Sequence, residues 1–179
     1  MSTVFRLVLF GLAAMAVLGL LLSFASHIAA LLRTPGPLRE NAWFLHIGVF
    51  FIGLPAVFVT RQRTGGRVGV SWVTVLRGCP RWMKWLGYAC CAYAVVNFIV
   101  FTLNAPSGSS ARGMSPAVVR GFSGHWMAFY AMAMAVFYSA AQMPETTRHC
   151  PNGHVVAPGA DFCEECGMFG DISPDAHRR

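Results

Sequence analysis

Acidic residues are almost missing from most of this chain. Of seven in 179 residues, six lie at or after Glu145, and Glu40 stands alone before them. Charged residues of both signs make up 12% of the chain against 55% hydrophobic, about half the charge of an average soluble domain. So little charge cannot keep a surface in water, and residues 1–144 therefore belong in lipid. Reaction signatures are missing as well. No nucleophile-and-base pair, Walker loop or GxGxxG segment names a chemistry. The length leaves room for one compact domain and a short appendage.

What is present is long apolar runs. Four are able to cross about 30 Å of hydrocarbon at about 1.5 Å of rise per residue, over about 5–32, 41–60, 83–104 and 121–143. They predict an all-α membrane protein: a four-helix transmembrane bundle over 1–144, followed at 145–179 by a small cytoplasmic unit. Arg6 ahead of an apolar run is also how a signal peptide opens. The 26 uncharged residues from Leu7 to Leu32 exceed that pattern, and no small-x-small cleavage site follows. Pro55 should bend the second span. Small residues suggest how the spans meet. Gly124, Ala128, Ala131, Ala135 and Ser139 form one stripe on the fourth, and Gly11, Gly19 and Ser23 another on the first.

The net charge of +7 invites a nucleic-acid reading, but the placement of the charge has a simpler cause. Ten positive residues lie on one side of the spans: Arg6, the cluster Arg61, Arg63, Arg67, Arg77, Arg81 and Lys84, and then Arg148, Arg178 and Arg179. The other side has four, Arg33, Arg39, Arg112 and Arg120. The positive-inside rule then places both termini in the cytoplasm. The 61–84 loop reads as carrying a short interfacial helix around Trp72, Val73, Leu76 and Cys79, ended by Pro80, with its arginines toward lipid phosphates. Alternation through Val68, Val70 and Trp72 keeps a strand as the lesser reading.

In that reducing compartment the cysteines after the spans are metal ligands sooner than disulfide partners. Cys79, Cys90 and Cys91 read as packing. Cys150-x3-His154, then Cys163-x2-Cys166, offers three thiolates and one imidazole, a tetrahedral zinc set. Gly153 and Gly167 supply turns, and Phe162 is expected to pack as part of a minimal core. So short a segment folds only on its metal, whose binding supplies about 10 kcal/mol or more. Glu164 and Glu165 read as solvated surface.

The segment 150–167 resembles the short zinc-ribbon family, two CxxCG knuckles joined by a PxGAxFC turn. "PGADFCEECG" fits the second half; "CPNGH" departs, with Gly153 where a cysteine would stand and His154 one place on, and His149 as a competing fourth ligand. Four protein ligands leave no position for water or substrate, so the zinc is expected to be structural, and the resemblance implies contacts with proteins or nucleic acids. Asp161, Glu164, Glu165 and Asp171 make the ribbon mildly acidic, which disfavours nucleic acid and leaves a protein partner. The runs "WFLHIG" and "RGFSGHWMAFY" resemble, loosely, uncharacterised small bacterial multipass proteins, and that likeness implies no activity.

One other cluster carries chemistry. His27, His46 and His125 fall at the same end of their spans, with Glu40 in the adjoining loop. Such a set suits haem, another metal or a quinone, but helix-end histidines are also satisfied by headgroups or carbonyls. The leading expectation is a membrane-anchored interaction or accessory protein of the bacterial inner membrane, alone, as a homo-oligomer or in a larger complex. The alternative is a small redox membrane protein working through the outer histidines.

Overall fold

Uncharged runs of Leu, Ala, Val and Phe leave the backbone one local way to satisfy its N–H and C=O groups in an apolar medium, the α-helix. The computed structural model describes residues 3–64, 72–104, 115–142, 148–156 and 162–168, without the side chains of Arg39, Glu40, Arg148, His149 and Val155. Among the described residues five α-helices form in chain order. They are α1 (Thr3–Leu31), α2 (Trp43–Arg63) after a single 3-10 turn, the one-turn α3 (Trp72–Val75), α4 (Arg81–Leu103) and α5 (Pro116–Gln142). The ends follow local chemistry. α1 stops where Arg33 turns left-handed at φ 55° and Thr34 N–H reaches back to Ala29 O at 2.9 Å, a Schellman closure just before Pro35. α5 starts on Pro116, where no N–H is needed, and Ser115 Oγ accepts the Val118 N–H at 3.3 Å.

Among the described residues three helices, α1, α2 and α4, are long and apolar enough to cross a membrane, the composition of a multipass membrane protein. The fourth expected span differs in kind. α5 buries sixteen of its 27 residues, against eight of 29 in α1. It packs on α1, α2 and α4 alike, so it is the hub of the bundle. A helix with neighbours on most sides needs small residues rather than lipophilic ones. Its mixture of Gly, Ala, Ser, His and Tyr follows from that position, and it is not among the three spans chosen by apolarity. The outer helices do the reverse and turn Met15, Leu18, Leu21, Phe51, Leu54, Phe58, Val95 and Ile99 outward.

The stripe Gly124, Ala128, Ala131, Ala135 and Ser139 is buried throughout. On α1, Gly19 and Ser23 are buried, but Gly11 is exposed with open space around it, so it is no part of the packing seam. Tyr130 explains why Gly19 matters: its ring fills the place a Cβ would take there, and its hydroxyl does the same at Gly48 while donating to Leu45 O at 2.9 Å. One aromatic side chain of α5 is thus keyed into both α1 and α2.

The expected interfacial helix is reduced to the single turn of α3. Trp72 and Val73 are exposed, while Val75, Leu76 and Cys79 insert into the bundle core. Burial pushes the Cys79 thiol up, as suits a packing residue. Ser139 Oγ donates to carbonyls of this turn, and Arg63 Nη1 donates to Val75 O and Ser139 Oγ, each at 3.0 Å. The polar ends of α2, α3 and α5 are therefore fastened together. The strand reading of 68–72 lies almost wholly on residues outside the described set.

Candidate metal centre

The last described residues build a second, separate core from Cys150, Val156 and Cys163, with Cys166 packed against it. Two short strands, β1 (Arg148–His149) and β2 (Val155–Val156), pair antiparallel around the first knuckle. That knuckle closes when Cys150 N–H donates to His154 O at 2.9 Å and Gly153 N–H to Cys150 O at 2.8 Å. The second repeats the plan, with Cys163 N–H to Met168 O and Gly167 N–H to Cys163 O, both at 2.8 Å. Each turn has one glycine at positive φ, Gly153 at 82° and Gly167 at 68°, a region costly for a residue with a Cβ. The departure at "CPNGH" now has a cause. The first knuckle is one residue tighter, so its left-handed glycine comes before the second ligand rather than after it.

These turns bring four side chains together. The ligand atoms of Cys150, His154, Cys163 and Cys166 all lie within 4.8 Å of one another. Cys150 Sγ is 3.6 Å from Cys166 Sγ, and His154 Nδ1 is 3.8 Å from Cys163 Sγ. Bonds of about 2.3 Å to sulfur and about 2.0 Å to nitrogen put tetrahedral ligands about 3.5–3.8 Å apart, so the cluster could hold a metal ion such as zinc. The thiols differ in readiness. Burial opposes ionising Cys150, but the His154 N–H and then the Cys166 thiol hydrogen bond its sulfur and bring it below the usual thiol range. For Cys166 the Met168 N–H favours the thiolate, while burial and the sulfurs of Cys163 and Cys150 outweigh it and push the group up. A dication among them would ionise all three.

Two expectations need correction. Phe162 is not among the buried residues of this core: it is half exposed, while Val156, at 3% exposure, lies inside. Glu165 is more than solvated surface, since its Oε2 lies 3.5 Å from His154 Nε2. Sequence spacing gave no sign of that contact, which depends on how the two knuckles face each other. The side chain of His149 is outside the described set, and with it the competition for the fourth ligand place.

The outer histidines reach one level of α5 without meeting at one point. His27, on α1, is bound through both ring nitrogens, Nδ1 to Ser123 Oγ at 2.7 Å and Nε2 to the Tyr93 hydroxyl of α4. Because Ser123 Oγ donates to Arg120 O at 3.1 Å, its oxygen accepts the Nδ1 proton, and Tyr93 donates to Nε2. His46 Nδ1 accepts the Trp126 indole N–H at 3.1 Å. His125 sits edge-on to Phe98 with ring centroids 4.8 Å apart, and its Nδ1 is buried without a hydrogen-bond partner among the described residues. Between His46 and His125 stands the Phe122 ring, with centroids 6.1 and 6.3 Å from theirs. The side chain of Glu40 is outside the described set. Among the described residues, the Cys3His cluster is the one group of three or more His, Cys, Asp or Glu placed to share a metal. Asn97 of α4 donates to Arg120 O and Gly121 O of α5 at 2.8 and 3.1 Å and so joins the two helices.

No family model, curated protein or solved structure matches the chain. The residues themselves must therefore support any functional reading.

Proposed function

We propose that the protein is a membrane-anchored accessory or interaction protein: a four-span bundle of the bacterial inner membrane, both termini cytoplasmic, carrying a ribbon folded around one structural zinc. The observation that carries the reading is four ligand atoms within 4.8 Å at the end of a chain of apolar helices. Four protein ligands fill a tetrahedral zinc and leave no place for water or substrate, which favours a structural over a catalytic ion. Phe162 and Met168 flank the second knuckle and are 50% and 45% exposed. Two large apolar side chains on so small a unit suit a protein partner that covers them. The bias of ten positive residues against four supports the orientation.

The test is co-purification from mild detergent. A partner retained by the intact protein should be lost both from Cys163→Ser and from a chain cut after Pro144. Identical co-purifying proteins in all three preparations would refute a role for the ribbon. Orientation is checked separately. An impermeant thiol reagent should label Ser109→Cys but not Gln62→Cys in intact cells, and the opposite pattern would put the ribbon outside.

A second reading has one observation in its favour, the buried His125 Nδ1 that no group among the described residues satisfies. A redox group at the outer face, haem, metal or quinone, would work near it. Visible absorbance of the purified protein separates the two, because haem gives a Soret band and zinc is colourless.

A further inference from the structure

His154 has two ring nitrogens and uses them in opposite directions. Nδ1 faces Cys163 Sγ at 3.8 Å, inside the ligand cluster. Nε2 points out of it to Glu165 Oε2 at 3.5 Å. A neutral imidazole carries one N–H and one lone pair, and an ionised carboxylate can only accept. Glu165 therefore favours the tautomer with its proton on Nε2 and its lone pair on Nδ1, toward the sulfurs. Histidines on metals commonly donate their other N–H to a carboxylate in this way, which fixes the ring and raises its basicity.

The placement gives the contact a second consequence. His154 belongs to the first knuckle, and Glu165 to the second, between Cys163 and Cys166. Their contact spans the two halves of the site independently of the metal. A carboxylate at that place can restrict the imidazole before an ion arrives. The first knuckle has most need of this, since its ligand follows the turn glycine and hangs on a longer side chain than the cysteine it replaces.

We propose that Glu165 is a positioning residue for the metal: it selects Nδ1 ligation by His154 and tightens zinc binding. This rests on the metal reading of the cluster. The test uses the full-length protein in detergent, with zinc affinity measured by chelator competition. The Glu165 side chain is 70% exposed, so substituting it removes little packing. Glu165→Ala should weaken zinc by about tenfold or more, and Glu165→Gln, which keeps an oxygen acceptor, should recover part of the loss. Glu164→Ala removes the same charge one residue away and should change affinity by less than about threefold, the share expected of a screened surface charge. Nitrogen-15 histidine spectra of the zinc-loaded protein should show His154 with metal on Nδ1 and a proton on Nε2.

Metal on Nε2 would overturn the proposal, as would Glu165→Ala binding zinc as tightly as the unaltered chain. Equal losses in Glu164→Ala and Glu165→Ala would also overturn it, by reducing the effect to general charge. If the unaltered chain holds no zinc, the metal reading itself falls, and the two failures are thus told apart.

Discussion

The bundle and the ribbon solve the same problem by opposite means. α5 is held by neighbours: sixteen buried residues, mostly small, let three helices close around it, with Tyr130 keyed against Gly19 and Gly48. Among its described residues the ribbon buries only Cys150, Val156 and Cys163, and two of those belong to the cluster that could hold a metal ion. Close packing needs many residues to agree in shape, whereas a metal needs four atoms at the right spacing. The bundle should therefore lose stability in graded steps, and the ribbon should be lost all at once.

The largest expected effect is on the ribbon. Cys163→Ser, or a strong chelator, should remove the metal completely and expose the remaining ribbon thiols to reagent, while far-UV circular dichroism of the helices stays unchanged. Loss of helix signal would show that the two regions depend on each other. Acid should act in the same direction. Protons compete with metal for three thiolates and one imidazole, so affinity must fall as pH falls. Metal occupancy after equilibration at about pH 5 should be well below that at about pH 7.5, and equal occupancy would argue against thiolate ligands.

Graded effects belong to the bundle. Gly19→Leu forces a side chain into the space of the Tyr130 ring and should cost about 1–3 kcal/mol, read by denaturation in mixed detergent, with metal content unchanged. An unaffected midpoint would mean that Tyr130 has room to move. Tyr93→Phe removes one hydrogen bond to His27 and should cost about 0.6 kcal/mol, the average for such bonds in membranes. A loss of several kcal/mol would indicate that the His27 cluster does more than join α1, α4 and α5.

How much of this was legible in the sequence follows the same division. The clustering of Cys150, His154, Cys163 and Cys166 was readable because sulfur and imidazole at knuckle spacing have few other uses, and the turn glycines because each precedes or follows one of the four. The stripe on α5 was readable because small residues at intervals of three and four on one helix can hardly serve anything but close approach. Gly11 satisfied that pattern without being packed, since periodicity says nothing about where a neighbour ends. Phe162 was misplaced because hydrophobicity alone does not tell which side of a two-turn unit faces in. Contacts between distant segments, Glu165 with His154 and Ser123 with His27, left no local trace. They arise from how finished elements face each other.

If Cys150, His154, Cys163 and Cys166 share one metal ion at the end of a membrane bundle, cobalt substitution will read it out. The metal-free full-length protein should take up one cobalt per chain, with strong thiolate-to-metal absorption in the near ultraviolet and the intense visible bands of a tetrahedral site. Zinc should bleach them by displacement. Weak octahedral-type bands, or no uptake of cobalt at all, would contradict the account.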